Sequence, residues 1–419
     1  MKKALITGIA GQDGSYLTEY LLSLGYEVHG MVRRHSVAEN QNFRLHHIMD
    51  NPNVTSHYGD LLDYPSLVRI ISLVQPDEIY NLGAMSHVRV SFDMPSFTIQ
   101  TNALGVLNIL EVYRTLCPEA KFYQASSSEM FGNSVDEDGV QRLTTPMNPV
   151  SPYGCAKVMG YNLVKHYRQA YKLHACNGIL FNHESPRRGS NFVTNKVVKT
   201  AVEIKKGLTN VLELGNMDSS RDWGHSKDYV RAMHKIINHD VPDEFIVATG
   251  KSHTVRQLCE TVFSKLGMDY RDYVVQNPKF MRPEELRYLR GDPSKVIETL
   301  GWKPEYTFET HDEDHPDALK FCPNTKWAET RNTLAELVPK QYDYYAFVDY
   351  DYVLNPQTNL NPLEQILEDL EKFEPAVLTY YPGKGLITPY ATDHEYRDSR
   401  DYSCMPFTHS GLKIVHRDL

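Results

Sequence analysis

The chain has 419 residues, with 53 acidic against 44 basic side chains for a net charge of −9, 41% apolar residues and 23% charged ones. This length fits two or three domains, the composition is that of an ordinary globular protein, and the acidic balance argues against nonspecific nucleic-acid binding. The charge is uneven: residues 1–307 carry 33 acids and 34 bases, residues 308–419 carry 20 and 10, so a boundary near 307 is expected.

Lys3–Thr7 (KALIT) reads as a short buried strand, followed by a glycine-rich turn and a helix from about Ser15 to Leu24 that Gly25 ends. Gly8, Gly11 and Asp13 break the apolar run too early for a secretory signal. Further strands are expected at Glu27–Val32, Val54–His57, Glu78–Leu82, Lys121–Ala125 and Ala175–Leu180. Helices lie between them, including Asn102–Leu116 and Pro152–Tyr171. This is the α/β grammar of a Rossmann-type, doubly wound parallel sheet with right-handed crossovers. From about Pro186 the alternation loosens, and residues 182–307 are expected to supply most of a smaller substrate-binding region. Residues 308–317 (FETHDEDHPD) read as an acidic linker, and 318–419 as a C-terminal α/β or partly irregular appendage. Six cysteines show no C-x-x-C spacing, so reduced thiols and a cytoplasmic location are expected. No apolar run reaches the ~18 residues of a membrane span.

Gly8, Gly11 and Gly14 form G-x-x-G-x-x-G around Gln12 and Asp13, directly after the first strand and at the opening of a helix. Such glycines let backbone N–H groups approach a pyrophosphate at the helix N-terminus. The second strand ends in Met31-Val32-Arg33-Arg34. Two guanidinium groups and no carboxylate suit the 2′-phosphate of NADP better than the bare ribose of NAD. Asp60-Leu61 follows the third strand, where an aspartate can accept a hydrogen bond from the adenine amine. Leu82-Gly83-Ala84-Met85-Ser86 follows the fourth, and its small residues let a cofactor pass close to the strand end.

Tyr153 and Lys157 make a Y-x-x-x-K pair, which shares one helix face. The lysine is expected to stabilise the phenolate and lower its pKa, giving a base near neutral pH. Ser127 and Glu129 follow the strand KFYQA. If that strand continues, positions i and i+2 point the same way and bring a hydroxyl and a carboxylate to one site.

Together these residues resemble the extended short-chain dehydrogenase/reductase family and, within it, the GDP-mannose 4,6-dehydratases. The resemblance covers residues 1–307 and is carried by TGIAGQDGSYLTEYLL, ASSSEMFG, SPYGCAK, ACNGILFNHESPRRG and LGNMDSSRDWGHSKDYV. It implies a lyase that converts GDP-mannose to GDP-4-keto-6-deoxymannose and water, with bound NADP as hydride carrier. Tyr153 would take the sugar 4-OH proton and Glu129 the C5 proton; Glu129 and Ser127 would assist departure of the 6-OH. Cofactor contacts would come from Arg33, Arg34, Asp60, Leu61, residues 82–86, Phe97, Lys157, His183 and Arg188. Substrate contacts would come from Ser86, Asn182, Val193, Lys196, Leu214, Gly215, Arg221, Arg282 and Glu285. The family also implies a dimer or tetramer, with residues 33–36 near a neighbouring subunit's cofactor. The nearest alternative in this fold is a nucleotide-sugar 4-epimerase, which needs no C5 base; Glu129 favours the dehydratase. The chain departs from the family at Ser127, often threonine there, at Phe97, often tyrosine, and after GWKPEYTFE (301–309), where DEDHPDALKFCPNTKW replaces a final helix.

In the tail, an expected strand at Tyr344–Val348 runs into Asp349-Tyr350-Asp351. A D-x-D after a strand is a site type that holds Mg²⁺ or Mn²⁺ on a nucleotide-sugar diphosphate. The stretch weakly resembles part of a GT-A glycosyltransferase but is too short for the whole domain. A bifunctional protein is thus an alternative, and no firm metal site is assigned. His311-Asp-Glu-Asp-His315 fits a solvated linker better than a metal site.

Overall fold

Side chains along the first strand enter two different cores in turn. In β1 (Lys3–Thr7), Ala4 and Ile6 join one apolar cluster and Leu5 the other, as the period of two in a strand buried on both faces requires. The structure is a computed structural model. It describes residues 1–33, 43–306 and 308, plus the backbone of three strands between residues 344 and 416. The chain divides into two units, Met1–Phe321 and Cys322–Leu419.

In the first unit, β1 leads to α1 (Gln12–Ser23), β2 (Glu27–Val32), β3 (Val54–Tyr58), α2 (Tyr64–Val74) and β4 (Glu78–Asn81). Two short helices, α3 (Val88–Asp93) and α4 (Pro95–Ile99), and a π turn at Gln100–Leu104 precede α5 (Gly105–Leu116). Then come β5 (Lys121–Ser127), α6 (Pro152–Tyr171) and β6 (Ala175–Leu180). The second half holds β7 (Asn182–Glu184), α7 (Val193–Lys205), β8 (Leu212–Leu214), β9 (Ser220–Arg221), β10 (Trp223–His225), α8 (Ser226–Ile237) and β11 (Glu244–Val247). It closes with β12 (His253–Thr254), α9 (Val255–Lys265), β13 (Val274–Gln276) and α10 (Ser294–Leu300).

Seven strands form one parallel sheet in the order β11-β6-β5-β4-β1-β2-β3. The direction of winding reverses between β1 and β4, and the crevice at their C-terminal ends is where such sheets bind ligands. One face is covered by α1 and α8, through Tyr16, Leu17, Leu21, Met233 and Ile237. The other is covered by α2, α5 and α6, through Leu67, Ile71, Ile109, Tyr113 and Val164. The expected strands and the helix Pro152–Tyr171 are present, the latter started by Pro152 and by the Ser151 side chain, which accepts the Gly154 N–H.

The second half is not confined to the smaller lobe. Its α8 packs on α1 and its β11 pairs with β6, so residues 226–247 complete the main sheet. The four-residue strand EFIV carries no motif that would have announced it. The smaller lobe is built on α7 and α9, around Val197, Ala201, Leu258 and Phe263.

Among the described residues, packing contacts reach Phe308, one residue past the expected boundary. Trp302 is buried and donates its ring N–H to the Asp228 carbonyl at 2.9 Å. The Asp228 carboxylate accepts the backbone N–H groups of Glu305 and Tyr306, each at 3.0 Å. Phe308 stacks on His253, with ring centroids 4.0 Å apart.

In the second unit, β14 (Tyr344–Val348), β15 (Leu386–Ile387) and β16 (Leu412–His416) form an antiparallel sheet in the order β14-β16-β15. The strand expected at Tyr344–Val348 is present; Asp349, Asp351 and residues 311–315 lie outside the described residues.

Candidate active site

A cleft of about 1090 Å³ opens above the β1–β4 crevice and extends between the sheet and the smaller lobe. Its floor is the turn from β1 to α1. Gly8 has φ +72°, and a Cβ on Gly14 would lie 2.4 Å from the Gly8 carbonyl oxygen. Only bare backbone fits here, and Gly11, the N-cap of α1, offers no side chain to satisfy the first amides of the helix. Gly11, Gln12, Asp13 and Gly14 line the cleft, and amides at a helix start suit a pyrophosphate. Gly83 closes the approach from β4: its N–H donates to Thr7 Oγ1 at 2.9 Å, and Thr7 donates in turn to Asn81 Oδ1 at 2.6 Å.

Asp13 turns toward His183, whose Nε2 lies 2.8 Å from its Oδ2. Burial works to raise the Asp13 carboxyl, but His183 and Arg188 hold it below its usual value. Burial likewise works against the imidazolium, and Asp13 overrides it, raising His183. Arg33, Asp60, Leu61, Leu82, Ala84 and Ser86 line the same arm. Met85 and Phe97 do not. The Met85 backbone is tied to Asn102 by bonds of 2.8 and 2.9 Å, while Phe97 lies under the Arg33 guanidinium, 6.0 Å away. Arg34 lies outside the described residues.

The residues expected to be catalytic lie together in the cleft. Ser127, Glu129, Tyr153 and Lys157 all line it. The reason expected for the meeting of Ser127 and Glu129 is corrected here: the strand stops at Ser127 and a 3-10 turn, Ser128–Phe131, carries Glu129. The Ser127 hydroxyl caps that turn by accepting the Glu129 N–H at 3.3 Å. A cap, not strand alternation, brings them together.

The lowered tyrosine pKa is also corrected. Burial pushes the Tyr153 phenol up to about 12; the bonded Ser127 hydroxyl pulls it down and the Glu129 charge adds to the rise. Lys157 gives Tyr153 no direct bond. Its ammonium lies 5.6 Å from the tyrosine ring centroid and donates to the Ala125 carbonyl at 2.8 Å. Burial draws Lys157 down to about 8, which leaves it mostly protonated at neutral pH.

The outer arm is cationic. Asn182, Val193, Lys196, Leu214, Gly215, Arg221, Arg282 and Glu285 all line it. Arg221 is buried; burial and the neighbouring Arg282 charge draw it down to about 10. Arg282 reaches Glu129 Oε1 at 3.3 Å and Glu285 Oε1 at 3.7 Å. Lys196 donates to the Glu213 carbonyl at 2.6 Å and lies 3.9 Å from the Phe280 ring centroid. Arg44 and His87 line the cleft as well, unannounced by any motif. Arg44 donates to the carbonyls of Arg187 (2.8 Å) and Ala10 (3.3 Å), bracing the glycine turn. Among the described residues, no group of three His, Cys, Asp or Glu side chains could hold a metal ion, and no helix is long and apolar enough to cross a membrane.

A bare pyrophosphate turn, a helix-borne tyrosine and lysine, and a cationic outer arm define a nucleotide-sugar enzyme of the extended short-chain dehydrogenase/reductase class. The sequence profile of the GDP-mannose 4,6 dehydratase family matches residues 5–314. The GDP-mannose 4,6-dehydratase of Vibrio cholerae is 47% identical over 342 residues, covering 74% of this chain and 91% of that relative. GDP-mannose 4,6 dehydratase 1 of Arabidopsis thaliana is 49% identical over 318 residues, covering 74% and 87%. The chain belongs to the GDP-mannose 4,6-dehydratase family. Its fold is that of the dTDP-glucose 4,6-dehydratase of Streptomyces venezuelae, with TM-score 0.67 at 24% identity over 78% of this chain and 98% of that one.

Proposed function

We infer that the chain converts GDP-mannose to GDP-4-keto-6-deoxymannose and water, with NADP held throughout the cycle. The observation that carries this reading is the meeting of Ser127, Glu129 and Tyr153 in one cleft whose outer arm presents Arg221 and Arg282. Gly8, Gly11 and Gly14 would take the pyrophosphate, Arg33 the 2′-phosphate, and Lys157 the nicotinamide ribose. When bound, the nicotinamide supplies a reversible hydride store, so the reaction has no net redox. Tyr153 takes the proton of the sugar 4-OH. Glu129 removes the C5 proton once C4 is a ketone, and Glu129 with Ser127 assists the 6-OH to leave as water. Arg221 and Arg282 hold the diphosphate, for which a guanidinium fork is matched in shape and charge.

Glu129 also separates this reading from a 4-epimerase, which has no proton to remove at C5. The test is product analysis after incubation with GDP-mannose in D₂O. A 6-deoxy-4-keto product with solvent deuterium at C5 is expected; a C4 epimer with its 6-OH intact would sink the assignment. A truncation after residue 308, which keeps the Phe308–His253 stack, should yield the same product if residues 309–419 are an appendage. Exposed apolar side chains on neighbouring segments, Ile99, Leu104 and Met159, support a homo-oligomer, to be checked by light scattering.

A further inference from the structure

We propose that Arg282 is a shared ligand: it holds the Glu129 carboxylate in the nucleotide-free protein and exchanges it for the substrate diphosphate, so that nucleotide binding frees the base. The proposal rests on the GDP-mannose reading of the cleft and adds an order of events to it.

Four buried or half-buried charges meet at the junction of the two arms. Arg221 and Arg282 are the cations, and Glu129 and Glu285 the carboxylates whose charges reach them. Groups removed from water need such compensation. A diphosphate arriving at the two guanidinium groups brings its own negative charge, and like charges crowded on one arginine repel. One carboxylate must then give way.

The two carboxylates are not equally held. Glu285 lies three positions from Arg282 on the same segment, and its Oε2 also accepts from the Ser219 hydroxyl at 3.4 Å. Glu129 has its Oε1 on Arg282 at 3.3 Å, while its Oε2 is buried with no hydrogen-bond partner. Glu129 is held by a single bond from a separate segment and is the one that leaves, the lost pairing made up by the sugar hydroxyl that the proposed function sets beside it. Arg282 itself is carried by a segment seated tightly against Gly215, just after β8, where a Cβ would lie 2.6 Å from the Phe280 carbonyl oxygen. The arginine can therefore change partner through its side chain while its backbone stays in place. A sugar without a diphosphate would leave Glu129 engaged, so C5 deprotonation is tied to nucleotide recognition.

The test is calorimetric titration of GDP, which lacks the sugar, into the NADP-loaded full chain. Wild type, Glu129→Gln, Arg282→Gln and the double variant are compared, with Glu129→Ala beside them and bound NADP reporting an intact fold. Linkage is reciprocal, so removing the competitor strengthens binding of the ligand that displaces it. Glu129→Gln and Glu129→Ala should each tighten GDP about fivefold, as expected for breaking one partly exposed ion pair. In the Arg282→Gln background the same change should alter GDP affinity less than about twofold. Equal GDP affinity in wild type and both Glu129 variants overturns the exchange. So does equal tightening with and without Arg282, which marks simple charge repulsion. Absence of GDP binding to wild type would overturn the nucleotide-site reading itself, an outcome separate from the other two.

Discussion

Lys157 is a buried cation, and the cost of burying it is measurable. The side chain is 6% exposed, and burial lowers its pKa from 10.5 to about 8. Each unit is worth about 1.4 kcal/mol, so at pH 7 the folded state carries a penalty of about 3 kcal/mol. Below about 8 both folded and unfolded chains bind the proton and the penalty is complete. As the pH rises through about 8 toward 10.5 the unfolded chain holds more protons, and the stability of the wild type rises. By pH 9.5 only about 1.4 kcal/mol of the penalty remains. Lys157→Met removes the titrating group while filling similar volume. Urea unfolding of cofactor-free wild type and variant, at pH 7 and pH 9.5, should show their stability difference moving by about 2 kcal/mol in favour of the wild type. The lost bond to the Ala125 carbonyl shifts both measurements alike and drops out of the comparison. A difference that does not change with pH would refute the reasoning, whatever its absolute size. The same variant should lose turnover, because the ammonium expected at the nicotinamide ribose is gone.

Glu129→Gln should keep NADP bound, reduce product formation by about 10²–10⁴-fold, and leave reduced nicotinamide accumulating, since oxidation at C4 precedes the blocked step. Unchanged turnover, or deuterium still entering C5, would remove Glu129 from its role. Arg33→Ala should weaken NADP by about tenfold or more with little effect on NAD, as for the loss of a charged hydrogen bond; competition binding of the two cofactors checks it. Trp302→Ala should destabilise the first unit by about 3–5 kcal/mol. Trp302→Phe, which keeps one six-membered ring but loses the pyrrole part and its bond to the Asp228 carbonyl, should cost less than Trp302→Ala, about 1–3 kcal/mol; both are read by urea unfolding.

Where sequence disclosed the architecture, a local rule and the tertiary structure agreed. The turn at Gly8–Gly14 is legible because a positive φ and a 2.4 Å approach exclude any side chain. β1 is legible because both its faces are buried and its run Ala4–Ile6 is unbroken, whereas β3 (VTSHY), at the sheet edge with only Val54 buried, is placed by the strand–helix alternation around it. The strand EFIV was not, since one glutamate and three apolar residues have no period of their own and acquire a place only by pairing with β6. Arg44 was hidden for a different reason. Its importance lies in two backbone carbonyls, of Ala10 and Arg187, that come together only in the folded chain.

The site shows the same limit more sharply. The residue types at positions 127, 129, 153 and 157 could be named from motifs, but two of their expected relations were not those of the folded chain. Spacing along an ideal strand would align Ser127 with Glu129, yet the backbone leaves the strand at Ser127 and a hydroxyl cap does the aligning. Spacing along an ideal helix puts Lys157 on the Tyr153 face, yet a carbonyl of β5 claims the ammonium. In the protein without ligands, Tyr153 is therefore a protonated phenol, held up near 12 by burial and the Glu129 charge. On the proposed function, its conversion to a base belongs to the complex. Exchange of Glu129 from Arg282 belongs there too, so the chemistry is assembled by the ligands in a cleft that the fold leaves deliberately cationic and incompletely paired.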